Sequence, residues 1–85
     1  NMKEKQAFNR IGKYCRNYRL TVLNLTLQEV AGKDNIKTLS SFEHGRSKNI
    51  EHLLKYVSKC ETREQKLQFL EGLISTIEGS EIDGK

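Results

Sequence analysis

The chain has 85 residues and a formal net charge of +4, with 35% hydrophobic and 31% charged residues. A chain of this length buries only about 60–65% of the surface it exposes when unfolded, so it has one thin core and no room for a second domain or a deep enclosed pocket. No apolar run approaches the roughly 18 residues that span a membrane, and no basic-then-apolar leader is visible, so a cytoplasmic location is expected.

Spacings of three and four recur, strand-like alternation is missing and there is no proline, which predicts an all-α chain. The first helix is expected over Glu4–Arg19, where Phe8, Ile11, Cys15 and Tyr18 form one stripe and Arg10, Lys13, Arg16 and Asn17 lie off it. Residues 20–24 are rich in β-branched side chains, end in a turn former and read as a connection or frayed end. Thr26-Leu-Gln-Glu29 is a capping box that opens a short helix from Leu27 to about Lys33, with Leu27, Val30 and Ala31 inward. Asp34-Asn35 breaks it, and Asn tolerates the left-handed conformation of a tight turn. A second short helix, Lys37 to His44, turns Leu39 and Phe42 inward and stops at Gly45. Ile50, Leu53, Leu54, Val57 and Cys60 predict the apolar face of a helix from Ile50 to Cys60. The last helix, Thr62 to Ile77, carries Leu67, Leu70, Ile74 and Ile77 at a/d spacing with Phe69 and Leu73 beside them. Gly79 is expected to end it, leaving residues 80–85 as a flexible tail.

Charge is divided unevenly along these elements. Residues 1–60 hold twelve Lys and Arg against five Asp and Glu, whereas residues 61–85 hold three against six. A basic body with an acidic end fits a polyanion-binding part and an end with a different task; it also fits an unevenly charged solvated surface. Cys15 and Cys60 lie at apolar positions, lack CxxC spacing, and with His44 and His52 do not have metal-ligand spacing. They read as core thiols, and neither a metal nor another cofactor is expected. No nucleophile arrangement, carboxylate pair or Gly-rich phosphate loop is present in the sequence, so no enzymatic activity is expected, and the histidines read as surface residues.

Two short helices joined by a tight turn, between a capping box and a Gly stop, form the helix-turn-helix pattern. Over residues 10–58 the chain resembles the DNA-binding domain of the lambda-repressor/Cro family. The carriers are Ile11-Gly12 with Arg16 and Arg19 behind them, Leu25-Thr26, Glu29-Val30-Ala31, the run Leu39-Ser40-Ser41-Phe42-Glu43-His44-Gly45-Arg46, and Ile50-Glu-His-Leu-Leu-Lys-Tyr56. The glutamine that opens the motif's first helix in that family is displaced here to Gln28, and the run Ile36–Leu39 is about two residues shorter than the common spacing.

The resemblance implies a five-helix lambda-repressor-like fold, with the helix-turn-helix domain over residues 1–60 and the last helix, residues 61–79, as a dimerisation helix. It places the helix after the turn in the major groove, so Lys37, Thr38, Ser40, Ser41 and His44 are the expected base contacts. Arg16, Arg19, Thr26, Gln28, Arg46, Ser47, Lys48 and Asn49 are the expected phosphate contacts, and Glu43 is expected to support the fold through a polar contact. The surplus apolar surface of Leu67, Leu70, Leu73, Ile74 and Ile77 is expected to pair with a second copy. The implied function is a bacterial or phage transcription regulator, a repressor that binds duplex DNA by operator occupancy as a homodimer, with no membrane or small-molecule effector as partner. One alternative is a protein-interaction module on the same fold, an antitoxin or phage-encoded inhibitor gripping its target with the last helix. Another is an RNA-binding protein that prefers loops or single strands.

Overall fold

The computed structural model describes residues 2–83, and the side chains of residues 5–79. Among the described residues there are five α-helices and no strand: α1 (Met2–Tyr18), α2 (Leu27–Ala31), α3 (Ile36–Glu43), α4 (Leu53–Lys59) and α5 (Arg63–Asp83). The Cα radius of gyration is 12.5 Å, near the roughly 12 Å expected of a folded chain this long. No described helix is long and apolar enough to cross a membrane.

Three of the four residues of the stripe read from α1, Ile11, Cys15 and Tyr18, enter the core, whereas Phe8 at its start is only half-buried. Along one side α1 lies on α5, where the Tyr14 hydroxyl donates to the Phe69 carbonyl at 2.8 Å and the Tyr18 ring meets Phe69 edge-on at 4.8 Å. On another side it crosses α3. A Cβ at Gly12 would stand 2.3 Å from the Phe42 carbonyl oxygen, so only glycine allows this approach. Residues 19–23 are not a loose connection. They continue α1 as a π-helical turn, Arg19–Leu23, which closes when the N–H groups of Asn24 (φ 55) and Leu25 both donate to the Arg19 carbonyl.

The capping box forms as the sequence predicts. Thr26 Oγ1 accepts the Glu29 N–H at 3.1 Å, and the Glu29 carboxylate accepts the Thr26 N–H at 2.8 Å. α2 then ends at Ala31, two residues early, and the positive φ of the turn falls on Gly32 instead of Asn35. Asn35 is extended and caps α3, its Oδ1 accepting the Lys37 N–H at 2.8 Å. At the far end Gly45 adopts φ 75; its N–H donates to Phe42 and that of Arg46 to Ser41, which is a Schellman closure.

Asn49 caps a 3-10 turn, Ile50–His52, that leads into α4. With three residues per turn there, the helical stripe drifts. His52 and Tyr56 point inward, while Ile50 and Leu54 are 51% and 68% exposed instead of joining the apolar face. The expectation of a surface position for His52 is therefore wrong: it is buried, with its ring 5.2 Å from Phe42. α5 opens on a second capping box, in which Thr62 Oγ1 accepts the Gln65 N–H and Gln65 Oε1 accepts the Thr62 N–H. It does not stop at Gly79 but runs to Asp83, so the expected tail is helical over residues 80–83; residues 84 and 85 lie outside the described ones. Phe69 and Leu73 are buried in the same core as Ile11, Leu39, Phe42 and Tyr56, which makes α5 part of that core and not an appended element.

Candidate nucleic-acid interface

α3 is eight residues long and keeps its shape through closed ends and a buried inner face of Leu39, Phe42 and Glu43. Helical spacing then turns Lys37, Ser41 and His44 to the opposite side, with Ser40 beside them. Lys37 and His44 are exposed, and Ser40 and Ser41 are half-buried at the base of the ridge. The His44 ring Nδ1 lies 2.8 Å from the Ser40 carbonyl. In the neutral ring Nδ1 then donates, which leaves Nε2 as an acceptor for an exocyclic amine. Thr38 stands on the flank, on an open groove of about 630 Å³ between the start of α3 and α4.

The loop after α3 carries Arg46, Ser47, Lys48 and Asn49. Part of its polar capacity is spent on itself: Ser47 Oγ accepts the Asn49 N–H, and Asn49 Oδ1 accepts the Glu51 N–H. The Glu51 amide is thus already bonded within the loop. Arg46 remains exposed at the loop's start. Arg16 is exposed on α1, one turn beyond the glycine that meets α3. Gln28 is exposed, and its side-chain amide turns toward the end of its own helix to reach the Gly32 carbonyl at 3.4 Å. Thr26 is exposed, but its hydroxyl is spent on the cap, accepting the Glu29 N–H and bonding the Glu29 carboxylate.

Arg19 is the clear correction. Its side chain is buried and forms a two-pronged pair with Glu43, Nε to Oε2 at 2.8 Å and Nη2 to Oε1 at 3.0 Å, while Nη1 donates to the Leu25 carbonyl at 3.0 Å. The Tyr56 hydroxyl donates to Glu43 Oε2 at 2.7 Å. No phosphate can reach this guanidinium, which Glu43 holds protonated above its usual value. The network fastens α3 to the turn after α1 and to α4, so it positions the exposed ridge without touching a ligand. The sequence held a signal for it. Arg19 follows Cys15 by four and Glu43 follows Leu39 by four, so each charge stands on a core-facing position. Glu43's expected role as a fold-supporting polar contact matches this geometry.

Sequence reading also missed Lys55, whose ammonium pairs with Asp34 and ties the turn before α3 to α4. Cys15 and Cys60 are free and buried, as read, and burial pushes the Cys15 thiol up to about 12. Among the described residues no group of three or more His, Cys, Asp or Glu is placed to hold a metal. Of the five residues expected at a dimer contact, Leu73 is buried and Ile77 packs partly on the core. Leu67, Leu70 and Ile74 are 48%, 41% and 56% exposed. No family model, curated protein or solved structure matches this chain.

Proposed function

We propose that this chain is a lambda-repressor-like helix-turn-helix domain and a sequence-specific, double-stranded-DNA-binding transcription regulator, a repressor that acts by occupying its operator. The observation that carries the reading is the α2–turn–α3 unit. Both helices are capped at their N-termini, α3 is closed by Gly45 and pinned through Glu43 from behind, and it offers an outward ridge of Lys37, Ser41 and His44 next to a basic loop. In this reading Lys37 donates to guanine O6 or N7, the serines and His44 accept or donate along the same groove edge, and Arg46, Lys48 and Arg16 hold phosphates. The ridge side chains are short, so DNA shape carries part of the selectivity.

The experiment is selection from random duplex DNA at moderate salt, followed by titration of the selected site. Arg46→Ala lowers affinity for every sequence and makes the salt slope shallower by about one unit. Lys37→Ala changes which sequence is preferred. A folded protein that selects no motif, or an Arg46→Ala variant with unchanged affinity and slope, rules the reading out. The alternative, a protein-interaction module, is favoured by one observation: the exposed Leu67, Leu70 and Ile74 on α5. It predicts a protein target and no duplex affinity.

A further inference from the structure

Among the exposed side chains of α3, one is apolar. Ile36, the first residue of the helix, is 37% exposed and belongs neither to the core nor, among the described residues, to the apolar side chains packed against it. Nothing local calls for it there: a β-branched residue is a weaker helix former than alanine, and the first turn of a helix favours acidic side chains. Its place along α3 is specific. Ile36, Ser40 and His44 follow one another by four and form one row, with Lys37 and Ser41 in the row beside it. Ile36 and Lys37 thus stand side by side at the N-terminal end of the ridge.

Lys37, Ser40, Ser41 and His44 read hydrogen-bond donors and acceptors. Thymine carries something else in the major groove, a C5-methyl group that the other three bases lack, and an apolar side chain is what recognises it. Thr38 also has a methyl group but stands on the flank, lining the groove toward α4. We infer that Ile36 is a specificity-determining residue, packing its side chain on the C5-methyl of a thymine beside the base pair that Lys37 contacts. The inference rests on the duplex-DNA reading of α3 and adds to it a base feature that the polar ridge does not address. Consecutive Cα atoms are about 3.8 Å apart and stacked base pairs about 3.4 Å, so neighbouring residues at the end of the helix address neighbouring pairs. The selected site then holds a thymine, on either strand, next to the guanine taken by Lys37.

The test replaces each thymine of the selected duplex in turn with deoxyuridine, which removes the methyl group and leaves every hydrogen-bonding atom in place. Wild-type protein binds about three- to fivefold more weakly when the sensitive thymine is replaced, the worth of one buried methyl group. That position adjoins the pair whose preference Lys37→Ala changes. Ile36→Ala binds the thymine and deoxyuridine duplexes alike, with helicity by circular dichroism retained because Ile36 lies outside the core. Ile36→Val, which keeps a branched apolar end, retains the discrimination. Equal wild-type affinity for thymine and deoxyuridine at every position overturns the role of Ile36 and leaves the DNA reading standing. An Ile36→Ala variant that keeps the difference, or a sensitive thymine away from the Lys37 pair, does the same. A folded protein that selects no duplex overturns both.

Discussion

α3 and α5 are held by opposite means. α3 has eight residues, too few to persist alone, and each end is tied: Asn35 at the start, the Gly45 closure at the finish, Glu43 bonded behind it to Arg19 and Tyr56. Its outer face is polar, with the His44 ring bonded back to the Ser40 carbonyl of the same helix. α5 has 21 residues, runs past a glycine without breaking and packs along α1 through Phe69. Its outer face carries three exposed aliphatic side chains, Leu67, Leu70 and Ile74. A short helix presented on a polar network and a long one presented on hydrophobic packing should fail differently, and that difference can be measured.

The largest effect is expected behind α3. Glu43→Ala leaves the Arg19 guanidinium buried without its anion and should destabilise the domain by about 3–5 kcal/mol, read from the urea midpoint. Replacing Arg19 and Glu43 together with apolar residues should recover most of that loss, which separates an unpaired charge from lost packing. In α5 two adjacent residues make the contrast. Phe69→Ala should cost about 3–5 kcal/mol, whereas Leu70→Ala should change monomer stability by no more than about 0.5 kcal/mol. Equal losses at 69 and 70 would mean that α5 is seated differently.

The core face of α1 and the cap of α2, which leads into α3, should also respond to pH from opposite directions. Burial pushes the Cys15 thiol and the Tyr18 hydroxyl, both on the buried face of α1, up to about 12. Their neutral forms are favoured in the folded state, so the stabilisation is complete below their ordinary values of 9.0 and 10.0 and is lost as pH rises toward 12. Thermal melts should move down through that window, and tyrosine absorbance should show ionisation accompanying unfolding. At acid pH the sign reverses. Hydrogen bonds from the Thr26 backbone and hydroxyl hold the Glu29 carboxyl below its usual value, so its contribution is present above the ordinary carboxylate range and fades as pH falls through the lowered one. Amide exchange at Thr26 should quicken there before the α1–α5 core responds. Thr26→Ala, the smallest perturbation, should cost about 1 kcal/mol and raise exchange in α2 more than in α5.

Local chemistry was legible in the amino-acid sequence because its partners are three or four residues apart. The Thr26–Glu29 capping box, the inward positions of Ile11, Cys15, Leu39 and Phe42, and the stop at Gly45 all follow from helical spacing and the backbone freedom of glycine. The exposed ridge of α3 follows too, as the side opposite its apolar pair. Thus the sequence determined an all-α chain and the order of its helices.

Only the tertiary structure decided which charges and apolar faces remain outside. Arg19 looks like a surface cation until the fold brings Glu43, 24 positions away, against it. His52 and Leu54 exchange their expected places because a 3-10 turn precedes α4. In α5 apolar residues surround too much of the circumference for periodicity to choose a side, and the choice falls to α1, which covers Phe69 and Leu73 and leaves Leu67, Leu70 and Ile74 uncovered. Periodicity identifies a face that can be buried; whether it is buried depends on segments that meet it from elsewhere in the chain.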